Sequence, residues 1–197
     1  MSIGSDQFKQ AAAESEVLGL AAPCPMPQWL PDETFFSIAS RYHAVSGNRL
    51  AAQTNLALFG VHRGGSQHDF PTHLGQFTAR TDGHLGTVES IAASRTILPF
   101  YLPCRSTEDA AAVVEALAGS PSGMLKYRLG ILTSRFRANH PLKACPTCLA
   151  EDTATHGVAY WHRAHQLPGT WVCPKHVAFL QVATMKSTGV QRLPPIA

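Results

Sequence analysis

A mainly α chain with small ribbon-like elements near its C-terminal end is the fold class that the sequence predicts, and three observations carry it. Two clamps, CPTC (Cys145, Cys148) and CPKH (Cys173, His176), stand 24 residues apart, the spacing of a closed tetrahedral zinc site. Upstream of them, apolar residues recur at helical spacing between recognisable start and stop signals. From residue 139 onward the pattern changes to short segments around the clamps. Together they describe an N-terminal helical, helix-turn-helix-like region followed by a C-terminal Cys3His zinc module with zinc-ribbon-like elements.

The 197 residues, 45% of them hydrophobic, suffice for one ordinary core with a small satellite module, or for two small domains. The expected organisation is a flexible leader over 1–28, a helical domain over 29–120, a zinc-binding module over 121–183 and a tail or linker over 184–197. Within the leader, a short helix over 6–20 is the one element expected. The segment LPDETFFSIASRYHAVSGN predicts the first helix of the helical domain. Pro31 and the candidate cap Asp32 open it, Phe35, Phe36, Ile38, Ala39 and Tyr42 form its apolar face, and Gly47 ends it.

Asn48 is the candidate cap of a second helix, RLAAQTNLALFG, with Leu50, Leu56 and Leu58 toward the core and Gly60 at its end. Two short helices joined by a Ser-Gly-Asn turn fit a helix-turn-helix hairpin. Such a hairpin either buries a core without touching DNA or reads a groove. In the second case Arg49, Gln53 and Asn55 are the contacts.

HRGGSQH reads as a flexible loop, residues 71–79 as a short helix from Pro71, and 86–97 as a longer one with Val88, Ile91, Ala92 and Ile97 on its apolar face. RTILPFYLPC, twice broken by proline, predicts an extended, largely buried connector. Thr107 is the expected cap of TEDAAAVVEALAG, which has Glu108 and Asp109 in its first turn and Gly119 as its stop. Residues 124–137 mix apolar and basic positions without a period and leave helix and strand open.

Each clamp sets two ligands three positions apart across a turn that Pro146 or Pro174 helps to fix. Three thiolates and an imidazole fill all four positions, so the zinc is structural and supplies folding energy. One ion is expected and a second is not, because no further Cys or carboxylate cluster accompanies the ten histidines. Tyr160, Trp161, His165 and Trp171 are the expected core of the module, with His165 hydrogen-bonded inside it. Cys24 and Cys104 are left as buried small apolar residues, and one metal cluster with unpaired thiols fits a reducing cytosol. No run approaches the roughly 18 to 20 apolar residues of a membrane span, so no membrane partner is expected.

The net charge of +3 conceals a division. Residues 1–115 hold 11 acids against 7 Lys and Arg, whereas 116–197 hold 2 acids against 9. Lys126, Arg128, Arg135, Arg137 and Lys143 fall together where acids are absent. A basic, metal-stapled half suits phosphate contact, and Arg128, Arg135, Arg137 and Lys143 are its candidates. A solvated basic surface, or one that meets an acidic protein with no DNA involved, fits the same charges. Enzyme readings fare worse. A zinc deaminase needs HxE and an open zinc position, and no HxE occurs in the chain. A nuclease needs clustered carboxylates, and the basic half offers only Glu151 and Asp152, read here as caps of a turn or helix.

The run LTSRFRANHPLKACPTCLAED followed by GVAYWHRAHQLPGTWVCPKH resembles the TniQ/TnsD family of transposon target-selection proteins. LPDETFFSIASRYH is similar to that family's N-terminal opening, and the likeness spans roughly residues 29–180, sharpest over 132–176. It implies zinc held by Cys145, Cys148, Cys173 and His176, and a non-enzymatic adaptor of cut-and-paste transposition. The implied partners are an AAA+ ATPase regulator, double-stranded DNA or an RNA-guided CRISPR effector complex, and a second copy in a homodimer. The implied setting is the bacterial cytoplasm, at the nucleoid when engaged. Long members of the family continue well beyond the zinc module.

Overall fold

The structure, a computed structural model, describes residues 25–119, 122–131, 141–184 and 193, and the helix expected over 6–20 lies outside them. Helix α1, Phe35–Val45, begins where Thr34 Oγ1 accepts the Ser37 N–H at 3.1 Å, so Thr34 caps it in place of the expected Asp32. Helix α2, Ala51–Phe59, begins after Leu50, whose N–H donates to Gln53 Oε1 at 3.1 Å. Asn48 does not cap it. Its Nδ2 donates to Thr54 Oγ1 at 3.0 Å and closes the turn between the helices.

Helix α3 spans Leu74–Arg80 and α4 spans Val88–Arg95, each shorter than its hydrophobic pattern predicts. Ile97 lies beyond α4 yet is buried, and the Pro-containing connector, expected extended and largely buried, forms a 3-10 turn over Leu98–Tyr101 that leaves Phe100 and the following Cys104 exposed. Helix α5, Thr107–Gly119, is capped one residue earlier than predicted, since Ser106 Oγ accepts the Asp109 N–H at 3.1 Å. Helix α6, Ser122–Arg128, settles part of the ambiguous basic stretch as helical. Strand β1 (Lys143–Ala144), helix α7 (Pro146–His156), helix α8 (Arg163–Gln166) and strand β2 (Gln181–Val182) complete the described elements. The strands are antiparallel, with Lys143 opposite Val182 and Ala144 opposite Gln181. The chain is mostly helical, as the sequence predicts, and among the described residues no helix is long and apolar enough to cross a membrane.

The centre of the core is aromatic. Phe35 meets Phe77 edge-on at 4.8 Å between ring centroids, and Phe59 lies 5.9 Å and 6.0 Å from the two. Against these rings packs the HRGGSQH segment, whose centre is no flexible loop: Gly64, Gly65 and Ser66 are buried. Gly65 N donates to Thr72 Oγ1, and Ser66 Oγ donates to Asn55 Oδ1 at 3.0 Å. Gly65 sits at φ 81°, and a Cβ there would fall 2.3 Å from the Phe59 ring, so both conformation and space demand glycine.

The same hydrophobic cluster continues into the metal-clamp region through Leu142, Ala144 and Trp161, and takes in Leu193 from the expected tail. A strap of hydrogen bonds reinforces the join. Thr34 N donates to Trp161 O at 2.9 Å and Arg163 N to Asp32 O at 2.7 Å. Ala164 N donates to Asp32 Oδ2 at 2.9 Å, so Asp32 serves the start of α8 and not of α1. Trp161 N adds a bond to Ser37 Oγ at 3.1 Å.

Candidate metal centre

Cys145 is the N-cap residue of α7 with Pro146 at the first helical position, so CPTC folds as the opening turn of a helix. CPKH instead makes a tight turn between two extended segments. Cys173 N donates to Ala178 O at 2.8 Å and Val177 N to Cys173 O at 2.9 Å, while Val172 and Phe179 form an antiparallel bridge. Holding that turn forces Val177 to φ 52°, a left-handed conformation that is costly for a β-branched residue.

The ligand atoms of Cys145, Cys148, Cys173 and His176 all lie within 4.8 Å of one another. Cys148 Sγ stands 3.7 Å from Cys173 Sγ, and His176 Nδ1 stands 3.5, 3.3 and 3.6 Å from the sulfurs of Cys145, Cys148 and Cys173. Tetrahedral zinc with ordinary bond lengths separates two sulfurs by about 3.8 Å and a sulfur from an imidazole nitrogen by about 3.6 Å. The four side chains therefore fit a single zinc-sized ion.

Thiol chemistry points the same way. Burial raises the Cys145 thiol, but the backbone N–H groups of Cys148 and Thr147, with the side chain of His176, outweigh it and bring it down to about 7. Burial and the sulfurs of Cys173 and Cys145 push the Cys148 thiol up. Crowded sulfurs cannot all ionise unaided, and a divalent cation removes that repulsion. Beneath them the local core is small: the three cysteines and Leu180, with Ala178 alongside. A bound ion would supply the cross-link that so little apolar area cannot.

Glu151 and Asp152, expected as caps, lie inside α7 and work otherwise. Glu151 Oε1 stands 3.2 Å from His176 Nε2, and its other oxygen pairs with Lys175 Nζ at 2.5 Å. A carboxylate on the far nitrogen of a ligating histidine orients the ring and fixes its tautomer. Asp152 Oδ2 meets His162 Nε2 at 2.8 Å, and the His162 ring stacks on Tyr160 at 4.4 Å between centroids. His165 is buried, with Nε2 3.9 Å from Cys148 Sγ. Burial and the neighbouring His162 lower its pKa to about 4.

Of the expected core residues of the module, Tyr160, Trp161 and His165 are buried, Trp161 within the main cluster. Trp171 is 52% exposed and forms no core; its ring faces Lys143 Nζ at 5.1 Å.

The candidate nucleic-acid contacts divide. Arg49, Gln53 and Arg128 are exposed, while Arg135 and Arg137 lie outside the described residues. Lys143 is a correction. Its residue is 3% exposed, and Nζ is spent on Leu167 O at 3.0 Å and Thr170 O at 2.6 Å, so it offers no charge to phosphate. Asn55 is fully buried against Ser66 and cannot reach a groove. Lys126 is engaged by Asp69 at 2.6 Å.

Sequence reasoning missed Gln166. It accepts the Lys143 N–H at 3.0 Å and donates to Lys143 O at 2.8 Å and His162 O at 2.9 Å, pinning β1 to α8. The one signal was an amide placed beside Leu167 in AHQLPG, where the short segment needed a buried polar anchor.

Residues 24–180 match the TniQ family. The chain is also 30% identical over 112 residues to the Transposon Tn7 transposition protein TnsD of Escherichia coli. That alignment takes in 56% of this chain and 22% of the relative, so the chain spans well under half of that protein's length.

Proposed function

The chain belongs to the TniQ family, and from that premise we propose that it is a non-enzymatic target-site selector of DNA transposition. In this reading it links target DNA, or an RNA-guided CRISPR effector complex, to an AAA+ ATPase that regulates the transposase. The observation that carries the proposal is the family match over a metal cluster with four ligand atoms converging on one point. A zinc ion held by Cys145, Cys148, Cys173 and His176 has no open position for substrate or water, and its role is to hold the module together. The likeness to TnsD supports a role in transposition. We place the protein in the bacterial cytoplasm, at the nucleoid when engaged, as a monomer or homodimer.

Arg49, Gln53 and Arg128, all exposed, form the proposed DNA-facing set with Arg135 and Arg137. The burial of Lys143 and Asn55 shortens that set and favours a second reading, a zinc-containing protein interaction module without direct DNA contact. Gel-shift titration across salt separates the two. A DNA binder loses affinity by about 0.9 log units per neutralised phosphate per log unit of salt, and an adaptor that meets only proteins shows no duplex binding. Co-purification with an AAA+ ATPase regulator of transposition tests the adaptor role itself, and its failure with metal-loaded protein discards that role.

A further inference from the structure

We propose that the groove between α4 and α5 receives a basic amphipathic helix of a protein partner. Val88, Leu102 and Val114 give the groove an apolar floor, and Ala110, Ala111 and Ala118 keep one wall low enough for a helix to approach closely. Its cavity is about 430 Å³, room for anchoring side chains spaced one helical turn apart. Helix α5 has 13 residues and so runs for about 20 Å, which is enough to seat several turns.

Charge selects the occupant. Glu89 on α4 and Glu115 on α5 both line the groove. Glu108 shares the α5 face at seven residues from Glu115, and Asp109 is exposed beside it. Elsewhere the acids are used: Glu33 pairs with Arg41, Asp69 with Lys126, Glu151 with Lys175, Asp152 with His162 and Asp32 with Arg163. Among the described residues no ion pair reaches Glu89, Glu108, Asp109 or Glu115, so four of the five acids without one lie on these two helices, Asp82 being the fifth. An apolar trough between carboxylates paired by no cation among the described residues attracts Lys and Arg flanking an apolar stripe and repels an acidic helix. The chain's own first 24 residues carry Asp6, Glu14 and Glu16 against Lys9, the wrong sign to fill it. This inference stands apart from the transposition reading and survives if that reading fails.

The test is fluorescence anisotropy with the full metal-loaded chain and two synthetic helices of equal apolar face, one Leu/Lys and one Leu/Glu. The Leu/Lys helix binds saturably and weakens with salt, and the Leu/Glu helix does not bind. Ala111→Trp, which fills the groove from an exposed position, and the pair Glu89→Gln, Glu115→Gln each weaken the Leu/Lys helix at least tenfold with unchanged circular dichroism. Equal binding to Ala111→Trp and to the parent protein overturns the proposal. So does equal binding of both helices. A parent dimer that Ala111→Trp dissociates in sedimentation overturns it too, by assigning the groove to a second copy.

Discussion

Removing the Glu151 carboxylate weakens zinc binding without touching any of the four ligand atoms. Glu151 Oε1 lies 3.2 Å from His176 Nε2, so the ring is held with its other nitrogen toward the sulfurs. Carboxylates in this position are worth roughly 10- to 100-fold in metal affinity. Here the Glu151 side chain is 45% exposed, so water screens it and the lower end applies, about tenfold for Glu151→Ala. Glu151→Gln keeps an oxygen for the N–H but loses the charge, and falls between the parent and the alanine variant. Lys175→Met removes the competing cation from the same carboxylate and leaves zinc affinity equal or tighter. The assay is competition for zinc against a chromophoric chelator near neutral pH. Parent and Glu151→Ala dissociation constants within twofold of each other would refute the reasoning.

Chelation of the metal lowers the melting temperature, and added zinc raises it in proportion to the logarithm of free ion, because binding is coupled to folding; scanning calorimetry reads both. Val177→Gly stabilises the metal-loaded protein by roughly 0.5 to 1 kcal/mol in urea unfolding, since Val177 is held at φ 52° with 82% of its surface exposed and little packing to lose. Asp69 gives a pH test. Burial alone would raise its carboxyl, but His68, Lys126 and the Phe70 N–H draw it below its ordinary value of 3.8. A folded pKa below the unfolded one means the stabilisation is complete above 3.8 and is lost as pH falls through the folded value. Asp69→Asn breaks the buried pair with Lys126 and costs about 3 kcal/mol near neutrality, and in denaturation at a series of pH values the gap to the parent narrows only as pH falls below the carboxyl's ordinary value of 3.8.

What the sequence disclosed depended on how local the determining contact is. The clamps were legible because cysteine, proline and histidine at fixed spacing have few other uses. Helices α1, α2 and α5 were legible because their apolar periodicity is set within each segment. Caps slipped by a residue or two, since Thr34 and Asp32, or Ser106 and Thr107, are equally able on paper and only the path of the flanking chain decides. Lys143 was misjudged because nothing nearby in sequence announces the carbonyls of Leu167 and Thr170 that enclose its ammonium. Glu151 was misjudged for the same reason, with its partners 24 and 25 residues away.

The strap between Asp32 and the start of α8 closes over 132 residues of chain. During synthesis at roughly 5 to 20 residues per second, the helical segment waits on the order of ten seconds for its last backbone partners to leave the ribosome. Until then Ser37 Oγ lacks the Trp161 N–H and the apolar cluster lacks the Trp161 ring. Nascent protein is thus most exposed to proteases and to misassociation just before the segment carrying Trp161 and α8 emerges.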